Sequence, residues 1–227
     1  MFRRNALVIG SGAVDALSRK RVLVFGLGGV GGAAVEALAR SGVGRLGIID
    51  DDIFESSNRN RQLAALESTL GESKVRVTAN RLRDINPQIE LTLFEQKLTG
   101  DRIEEFFAEP VDYVVDAIDD IPGKVALASF CQRRGIPLIA SLGTGNRLDP
   151  GCLEITDIYR THTDPLARKF RKALKEAAVS SLEVVYSREK PVKLEGGHRG
   201  PGSLIFVPAS AGILMAYQVV VRLIAVH

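Results

Sequence analysis

Residues 22–32, VLVFGLGGVGG, indicate the fold of this chain. Apolar residues with strand character lead directly into a Gly-x-Gly-x-x-Gly turn at Gly26, Gly28 and Gly31, and a helical pattern follows. A glycine turn of this kind lets backbone N–H groups approach a phosphate, and the positive end of the following helix dipole faces the anion. The stretch therefore predicts a strand–turn–helix unit that binds a nucleotide.

An acidic cluster follows the next apolar run. The run at 46–49 ends in Asp50, Asp51 and Asp52, about twenty residues after the glycine turn. A carboxylate at this point can accept hydrogen bonds from ribose hydroxyls. We therefore expect the cluster to contribute to nucleotide binding.

Strand and helix patterns alternate over the first two-thirds of the chain. Apolar runs at 21–26, 45–50, 90–94, 112–117 and 137–141 predict strands, and helix-like segments at 30–41, 73–85, 101–107 and 123–134 separate them. The last third has strand patterns at 153–158 and 182–187, a basic helix at 165–178 between them, and a glycine-rich loop at 196–202. Continuous apolar strands that alternate with helices indicate a parallel sheet covered on both faces. The predicted fold is α/β, a doubly wound, Rossmann-like, mostly parallel sheet with a mixed C-terminal extension.

Charge is unevenly distributed along the 227 residues. The formal net charge is +3, but residues 160–193 hold nine Lys or Arg against four acids, a local balance of +5. Such a segment suits a polyanion. A solvated, lysine-rich helix face is the alternative, and composition alone leaves both open.

The cysteines and the chain ends point to a cytoplasmic protein. Cys131 and Cys152 form neither a disulfide framework nor a Cys-x-x-Cys metal site, as in a reducing compartment. Charged residues near the N-terminus break any signal-like run. The apolar run at 209–226 has about membrane length, but Gln218 and Arg222 interrupt it. We expect a core or dimer-interface helix there and no stable membrane span.

Three further clusters favour ATP chemistry over hydride transfer. Residues 57–62, SNRNRQ, offer arginines, which bind phosphate oxygens in a planar, bidentate way, although a capped surface helix would look similar. Lys74 opens a helical pattern and can neutralise charge on a phosphate, unless it is an ordinary exposed lysine. Asp116, Asp119 and Asp120 lie at the C-terminal end of a predicted central strand, where carboxylates can hold Mg²⁺ on a triphosphate or cap the next helix.

In this order the motifs resemble those of the ubiquitin-activating-enzyme-like adenylyltransferases, the group of ThiF, MoeB and HesA. The resemblance extends from about residue 4 to residue 145 and depends on 26–31, 50–52, 58–62, Lys74 and 116–120. In that family a substrate carboxylate oxygen attacks the α-phosphate of ATP, and pyrophosphate leaves. The resemblance therefore implies ATP and Mg²⁺ as cofactors.

The resemblance also implies roles for individual residues. It implies that Gly26, Gly28, Gly29, Gly31 and Gln62 line the nucleotide site, that Asp50 holds the ribose and Asp52 lies near the base or phosphates, that Asn58, Arg61 and Lys74 bind phosphates, and that Asp119 coordinates Mg²⁺ with ATP. The implied catalytic residues are Arg61, Lys74, Asp119 and Arg4. Arg4 matches an arginine that the family inserts into the partner subunit's active site, which implies a homodimer.

The last third is similar to the tRNA threonylcarbamoyladenosine dehydratases. The similarity depends on 141–150, 157–159, 164–168 and 184–187. It implies that ATP activates the threonyl carboxylate of a modified adenosine in the tRNA anticodon loop as an acyl-adenylate, and that the group then cyclises with net loss of water. Residues 160–193 would contact the tRNA backbone. Some relatives have a cysteine where this chain has Asp164, so a sulfur-transfer partner stays open.

Under this resemblance residues 1–227 form a single ThiF-type ATP-binding domain. Residues 1–150 would be the nucleotide-binding core, and 151–227 a substrate-facing and dimerisation extension. The main alternative is an adenylyltransferase that activates the C-terminus of a ubiquitin-like sulfur carrier, but such enzymes usually keep Cys-x-x-Cys zinc pairs that are absent here. A nucleotide-binding protein without catalysis and a dinucleotide oxidoreductase fit the arginines and Lys74 less well. No neighbouring residue marks Cys152 as an activated nucleophile.

Overall fold

The computed structural model describes residues 1–193 and 201–225, so most of the predicted loop at 196–202 lies outside the described residues. The strands are β1 (Arg21–Phe25), β2 (Arg45–Ile49), β3 (Glu90–Phe94), β4 (Tyr113–Asp116), β5 (Leu138–Ser141), β6 (Leu153–Asp157) and β7 (Glu183–Ser187). The helices are α1 (Arg3–Ile9), α2 (Ser11–Ser18), α3 (Gly29–Ser41), α4 (Lys74–Ile85), α5 (Ile121–Arg134), α6 (Pro165–Glu176) and α7 (Phe206–Ile224).

The strands form one seven-stranded sheet in the order β3-β2-β1-β4-β5-β7-β6. All pairs are parallel except β6–β7, which is antiparallel. This arrangement confirms the predicted α/β fold with a mixed C-terminal side. Strand β1 lies between β2 and β4. The strands that follow β1 are therefore added first on one side of it and then on the other, and ligands of doubly wound sheets bind where the strand order reverses in this way.

Both faces of the sheet are covered by helices. Strand β1 is buried along its whole length, because its alternate residues face two different apolar layers. One layer contains α3, α4 and α7, with Leu38, Leu82 and Met215 in its core. The other contains α5 and α6, with Leu127 and Phe170. Continuous apolar strands are therefore buried on both sides, as their sequence predicts.

Helix α7 packs closely on α3. A Cβ atom added to Gly212 would lie 2.1 Å from the carbonyl oxygen of Val30, so the two backbones touch. By length and composition, α7 is the one helix of the described residues that could cross a membrane. Its inner face is buried in the domain, while Phe206, Ile213 and Tyr217 stay exposed on the outside.

The N-terminal helices and the segment at 101–107 differ from the sequence-based expectation. Helices α1 and α2 were not predicted. Helix α1 buries no residue, and α2 buries only Ala16 and Leu17, so neither has the wide apolar face of a core helix. The helix expected at 101–107 is a short 3₁₀ helix, Ile103–Phe107, whose Phe106 and Phe107 rings pack on Phe25. The aromatic packing accounts for the apolar pattern there without a full α-helix.

Candidate active site

The glycine turn between β1 and α3 is closely packed. Gly26 has φ +85°, and an added Cβ would lie 2.7 Å from the carbonyl oxygen of Ala117. A Cβ on Gly31 would lie 1.8 Å from the carbonyl oxygen of Gly26. Only glycine allows these approaches. The turn thus starts α3 at Gly29, with no side chain capping the helix N-terminus and its N–H groups.

Asp50 joins the end of β2 to the glycine turn. Its Oδ2 accepts a hydrogen bond of 2.6 Å from the N–H of Leu27, and its Oδ1 accepts one of 2.9 Å from the N–H of Asp52. Burial raises the pKa of Asp50, while the Leu27 N–H and the charge of Lys74 act in the opposite direction. Each carboxylate oxygen can accept a further hydrogen bond, so the group remains suited to a ribose hydroxyl.

Lys74 is buried, so the alternative of an ordinary exposed lysine is wrong. Its Nζ lies 2.6 Å from Asp52 Oδ2 and 3.8 Å from Asp50 Oδ1. Lys74 is the first residue of α4, and its N–H donates to the carbonyl oxygen of Asp52 at 3.1 Å. These bonds place a cation beside the acidic end of β2.

The segment at 58–62 lies against the start of α3. A Cβ on Gly29 would lie 3.2 Å from the carbonyl oxygen of Arg61, and Nε2 of Gln62 is the nearest atom to a Cβ on Gly28, at 3.9 Å. Arg61 Nη1 donates to the Ser57 carbonyl at 2.8 Å and to an amide oxygen of its own loop. An incoming phosphate can replace these neutral acceptors, because charge-assisted bonds are stronger.

Asn58 and Gln62 are both buried, and the Gln62 side chain lies beside the glycine turn. Asn58 ends a 3₁₀ helix, and its Oδ1 accepts a 3.1 Å hydrogen bond from the N–H of Glu55. The Gln62 Oε1 is buried and makes no hydrogen bond with any residue that the structure describes. Asn58 therefore has a structural role in this state, and Gln62 keeps an open acceptor.

The three acids at the C-terminal end of β4 have different surroundings. Asp120 caps α5, because its Oδ2 accepts a 2.8 Å hydrogen bond from the N–H of Gly123. Asp116 is completely buried and pairs with Lys124. Asp119 is exposed, and across residues 1–193 and 201–225 it forms no ion pair or side-chain hydrogen bond. Of the three, Asp119 is the carboxylate that is open to a ligand.

Arg4 does not reach this site within one chain. Asn5 Nδ2 donates to the Arg40 carbonyl at 2.9 Å, which places α1 at the C-terminal end of α3. The glycine turn lies at the other end of this 13-residue helix, roughly 20 Å away. The exposed Arg4 side chain is too short to span that distance.

A buried pair near the start of α6 was not foreseen. Arg147 Nη2 lies 3.9 Å from Asp164 Oδ2, and both side chains are almost fully buried. Asp164 Oδ1 caps α6 through the N–H groups of Leu166 and Ala167. A Cβ on Gly143 would lie 3.4 Å from the Asp164 carboxylate, so α6 begins at the edge where β5 ends. Asp164 is therefore a helix cap.

The basic helix α6 has a sharply divided surface. Ala167, Phe170 and Leu174 are buried against the sheet. The outer face carries exposed basic side chains: Arg168, Lys169, Lys172 and Lys175. Arg171 is half-buried and donates to the carbonyl of Thr161.

This edge of the sheet brings together the glycine turn, the carboxylate of Asp50, the buried Lys74, the loop of Arg61 and the open carboxylate of Asp119. The combination is that of a nucleotide-binding protein of the adenylating class. A protein-family model described as the ThiF family matches residues 2–223. The chain therefore belongs to the ThiF family.

Similar proteins narrow this class. A tRNA threonylcarbamoyladenosine dehydratase of Bacillus subtilis is 41% identical over 98% of this chain and 94% of the relative. The crystal structure of the E. coli tRNA N6-threonylcarbamoyladenosine dehydratase in complex with ATP superposes with a TM-score of 0.92 at 33% identity, covering 99% of this chain and 93% of that one. A SAMP-activating enzyme E1 of Haloferax volcanii is 35% identical over 58% of this chain and 48% of its own length.

Proposed function

We propose that this chain is an ATP-dependent tRNA threonylcarbamoyladenosine dehydratase. The observation that carries the proposal is that three segments contact one glycine turn. Asp50 accepts a hydrogen bond from Leu27 of the turn, and the loop of Arg61 packs against Gly29. The turn that precedes Asp119 packs against Gly26. The similarity to the dehydratase of Bacillus subtilis, which aligns with nearly the whole chain, supports threonylcarbamoyladenosine in tRNA as the substrate.

The residues divide the chemistry of adenylation. The N–H groups at the start of α3 bind phosphate, and Asp50 accepts from the ribose. Lys74 and Arg61 stabilise the negative charge that grows on the phosphates as the threonyl carboxylate attacks the α-phosphate. The resulting acyl-adenylate then cyclises, with AMP as leaving group, so that one water is lost overall.

Mg²⁺ fits the donor set of this site. Asp119 is exposed, and the carboxylates of Asp50, Asp51 and Asp52 lie within 4.8 Å of one another, which gives the all-oxygen ligands that Mg²⁺ prefers. We assign Asp119 as the ligand of Mg²⁺ bound with ATP. A bound Mg²⁺ would neutralise charge on the triphosphate.

A nucleoside assay tests the proposed reaction. The protein is incubated with ATP, Mg²⁺ and tRNA that carries threonylcarbamoyladenosine, and the digested tRNA is analysed by mass spectrometry. We expect a nucleoside lighter by one water, and none without ATP or with Asp119→Ala. Full conversion by Asp119→Ala would contradict the assigned site, and no conversion by the wild-type protein would contradict the reaction.

We also propose that two chains share each active site. Arg4 lies at the far end of α3 from its own glycine turn, so a catalytic role for Arg4 requires the site of a neighbouring chain. The exposed apolar side chains of α7, Phe206, Ile213 and Tyr217, lie on one face of that helix and supply surface for an interface. A homodimer would bring Arg4 of one chain to the phosphates of the other.

We propose that residues 151–227 form the substrate-facing and dimerisation extension and that α6 faces the tRNA. The helix begins at the sheet edge of the nucleotide site and exposes a row of cations. Replacing the four basic residues by Glu should abolish tRNA binding: Arg168, Lys169, Arg171 and Lys172. Each phosphate contact that is lost reduces the number of counterions released on binding, and this release drives the association. ATP affinity should not change. Unaltered tRNA affinity with an unaltered salt dependence would make α6 only a solvated face.

Activation of a ubiquitin-like carrier protein is the second candidate. The partial similarity to the SAMP-activating enzyme favours it. The test is ATP–pyrophosphate exchange in the presence of a carrier protein with a Gly-Gly tail or of tRNA. Exchange that depends on the carrier and not on tRNA would favour carrier activation. A cytoplasmic location and the absence of a membrane span remain predictions.

A further inference from the structure

Lys124 of α5 and Asp116 at the end of β4 form a fully buried ion pair. Lys124 Nζ lies 3.0 Å from Asp116 Oδ2, and both side chains have 0% exposure. A fully buried ion pair adds little net stability, because two charges must leave water. Leu127, Ala128 and Cys131 share the inner face of α5 with Lys124, so an apolar residue would fit this position in terms of packing alone. The pair therefore calls for a role beyond stability.

The pair holds the peptide groups that precede Asp119. Lys124 Nζ donates to the Ile118 carbonyl oxygen at 3.1 Å, and Asp116 Oδ1 accepts from the Ile118 N–H at 3.2 Å. Both backbone polar groups of Ile118 are thus fixed by buried charges. The Phe170 ring of α6 lies 5.6 Å from the same ammonium group and closes its remaining side.

The same turn also contacts the nucleotide loop. A Cβ added to Gly26 would lie only 2.7 Å from the carbonyl oxygen of Ala117, so no space for a side chain remains between this turn and the glycine loop. The N–H of Ala117 donates to the Phe25 carbonyl at 2.8 Å. A shift at Ile118 would therefore move the open carboxylate of Asp119 relative to the phosphate-binding loop.

We propose that Lys124, together with Asp116, is a positioning residue that fixes the turn at 117–119 so that Asp119 can ligate the Mg²⁺ of bound ATP. The inference rests on the assignment of Asp119 made for the proposed function. Lys124 itself touches no substrate. Groups that orient a metal ligand typically change metal affinity by about 10–100-fold when they are removed.

The experiment measures ATP affinity by calorimetry with Mg²⁺ and with EDTA. The ratio of the two affinities is the Mg²⁺ gain, and it requires neither tRNA nor turnover. In Lys124→Met, which keeps length and loses charge, the Mg²⁺ gain should fall by about tenfold or more. The affinity measured in EDTA should change by no more than about threefold, since the glycine loop and Asp50 remain.

A double variant separates positioning from stability. Asp116→Asn combined with Lys124→Met removes both buried charges, so stability should largely return even if either single variant folds poorly. The donor to the Ile118 carbonyl stays absent, so the Mg²⁺ gain should remain low. A double variant that regains both stability and the Mg²⁺ gain would overturn the inference.

Lys20→Met is the matched control. Lys20 Nζ pairs with Asp112 Oδ1 at 3.0 Å near the opposite end of β4. Its loss should leave the Mg²⁺ gain unchanged, and an equal fall in this control would also refute the specific role of Lys124. A wild-type protein without any Mg²⁺ gain would instead overturn the assignment of Asp119, and this inference with it.

Discussion

Gly31→Ala should open the nucleotide loop. The new Cβ would lie 1.8 Å from the carbonyl oxygen of Gly26, whereas real Cβ contacts are essentially never shorter than 3.0 Å, so the backbone must move by more than 1 Å. Overpacking of this kind costs about 1–3 kcal/mol or more. Alanine recovers only about 1 kcal/mol through helix propensity. We expect a net loss of up to about 2 kcal/mol in the free energy of unfolding.

The neighbouring Gly32 supplies the matched control. A Cβ there would lie 3.4 Å from the Leu27 carbonyl oxygen, an ordinary contact. Gly32→Ala changes the same helix by the same methyl group without a backbone clash. It should therefore stabilise the protein by up to about 1 kcal/mol.

Urea unfolding and ATP calorimetry decide between the two outcomes. A displaced N–H that no longer meets a phosphate forfeits about 1.5–3 kcal/mol, so Gly31→Ala should weaken ATP binding by at least about tenfold. ATP affinity of Gly32→Ala should stay near the wild-type value. If both variants change stability in the same direction and bind ATP alike, the close approach to Gly26 does not constrain the loop.

The remaining predictions concern charge and reactivity. Lys74→Ala should reduce adenylation about 100-fold while ATP binding falls much less, because the cation acts mainly in the transition state; equal losses in both would remove that role. A mixture of Arg4→Ala and Asp119→Ala chains should recover roughly a quarter of the wild-type activity through heterodimers, and no recovery despite proven subunit exchange would argue against shared sites. Burial raises the pKa of Cys131 to about 12, so iodoacetamide at about pH 8.5 should label Cys152 and leave Cys131 unmodified in the native protein; labelling of Cys131 would show that α5 opens.

The sequence predicts the central strands of the sheet well because they are buried on both faces. Strand β2, for example, was expected at 45–50 and extends over Arg45–Ile49, since nothing in that run favours a helix. Helix α1 escaped prediction because none of its residues is buried. Periodicity reports burial, and a helix outside the core of its own chain leaves no such pattern.

The candidate site was predictable in part for a related reason. Motif spacing located Asp50 and Lys74, but only the structure shows that Lys74 is buried and paired with Asp52. The sequence does contain a signal for Lys124 that the sequence analysis did not use. Lys124 shares helical spacing with Leu127 and Cys131, so it lies on an apolar helix face. A lysine on such a face must find a buried partner, and here the partner is Asp116 at the end of β4, which only the folded structure brings to the ammonium group.

The contacts around the glycine turn also determine how variants will combine. Leu27 binds Asp50, Gly29 packs against the loop of Arg61, and Gly26 packs against Ala117, so three functional segments share one backbone turn. Variants in groups that share such contacts are not expected to be additive. Loss of one segment lets the turn relax and partly removes the benefit of the others. A double variant of the Arg61 loop and the Lys124 pair should therefore lose less ATP affinity than the sum of the two single losses.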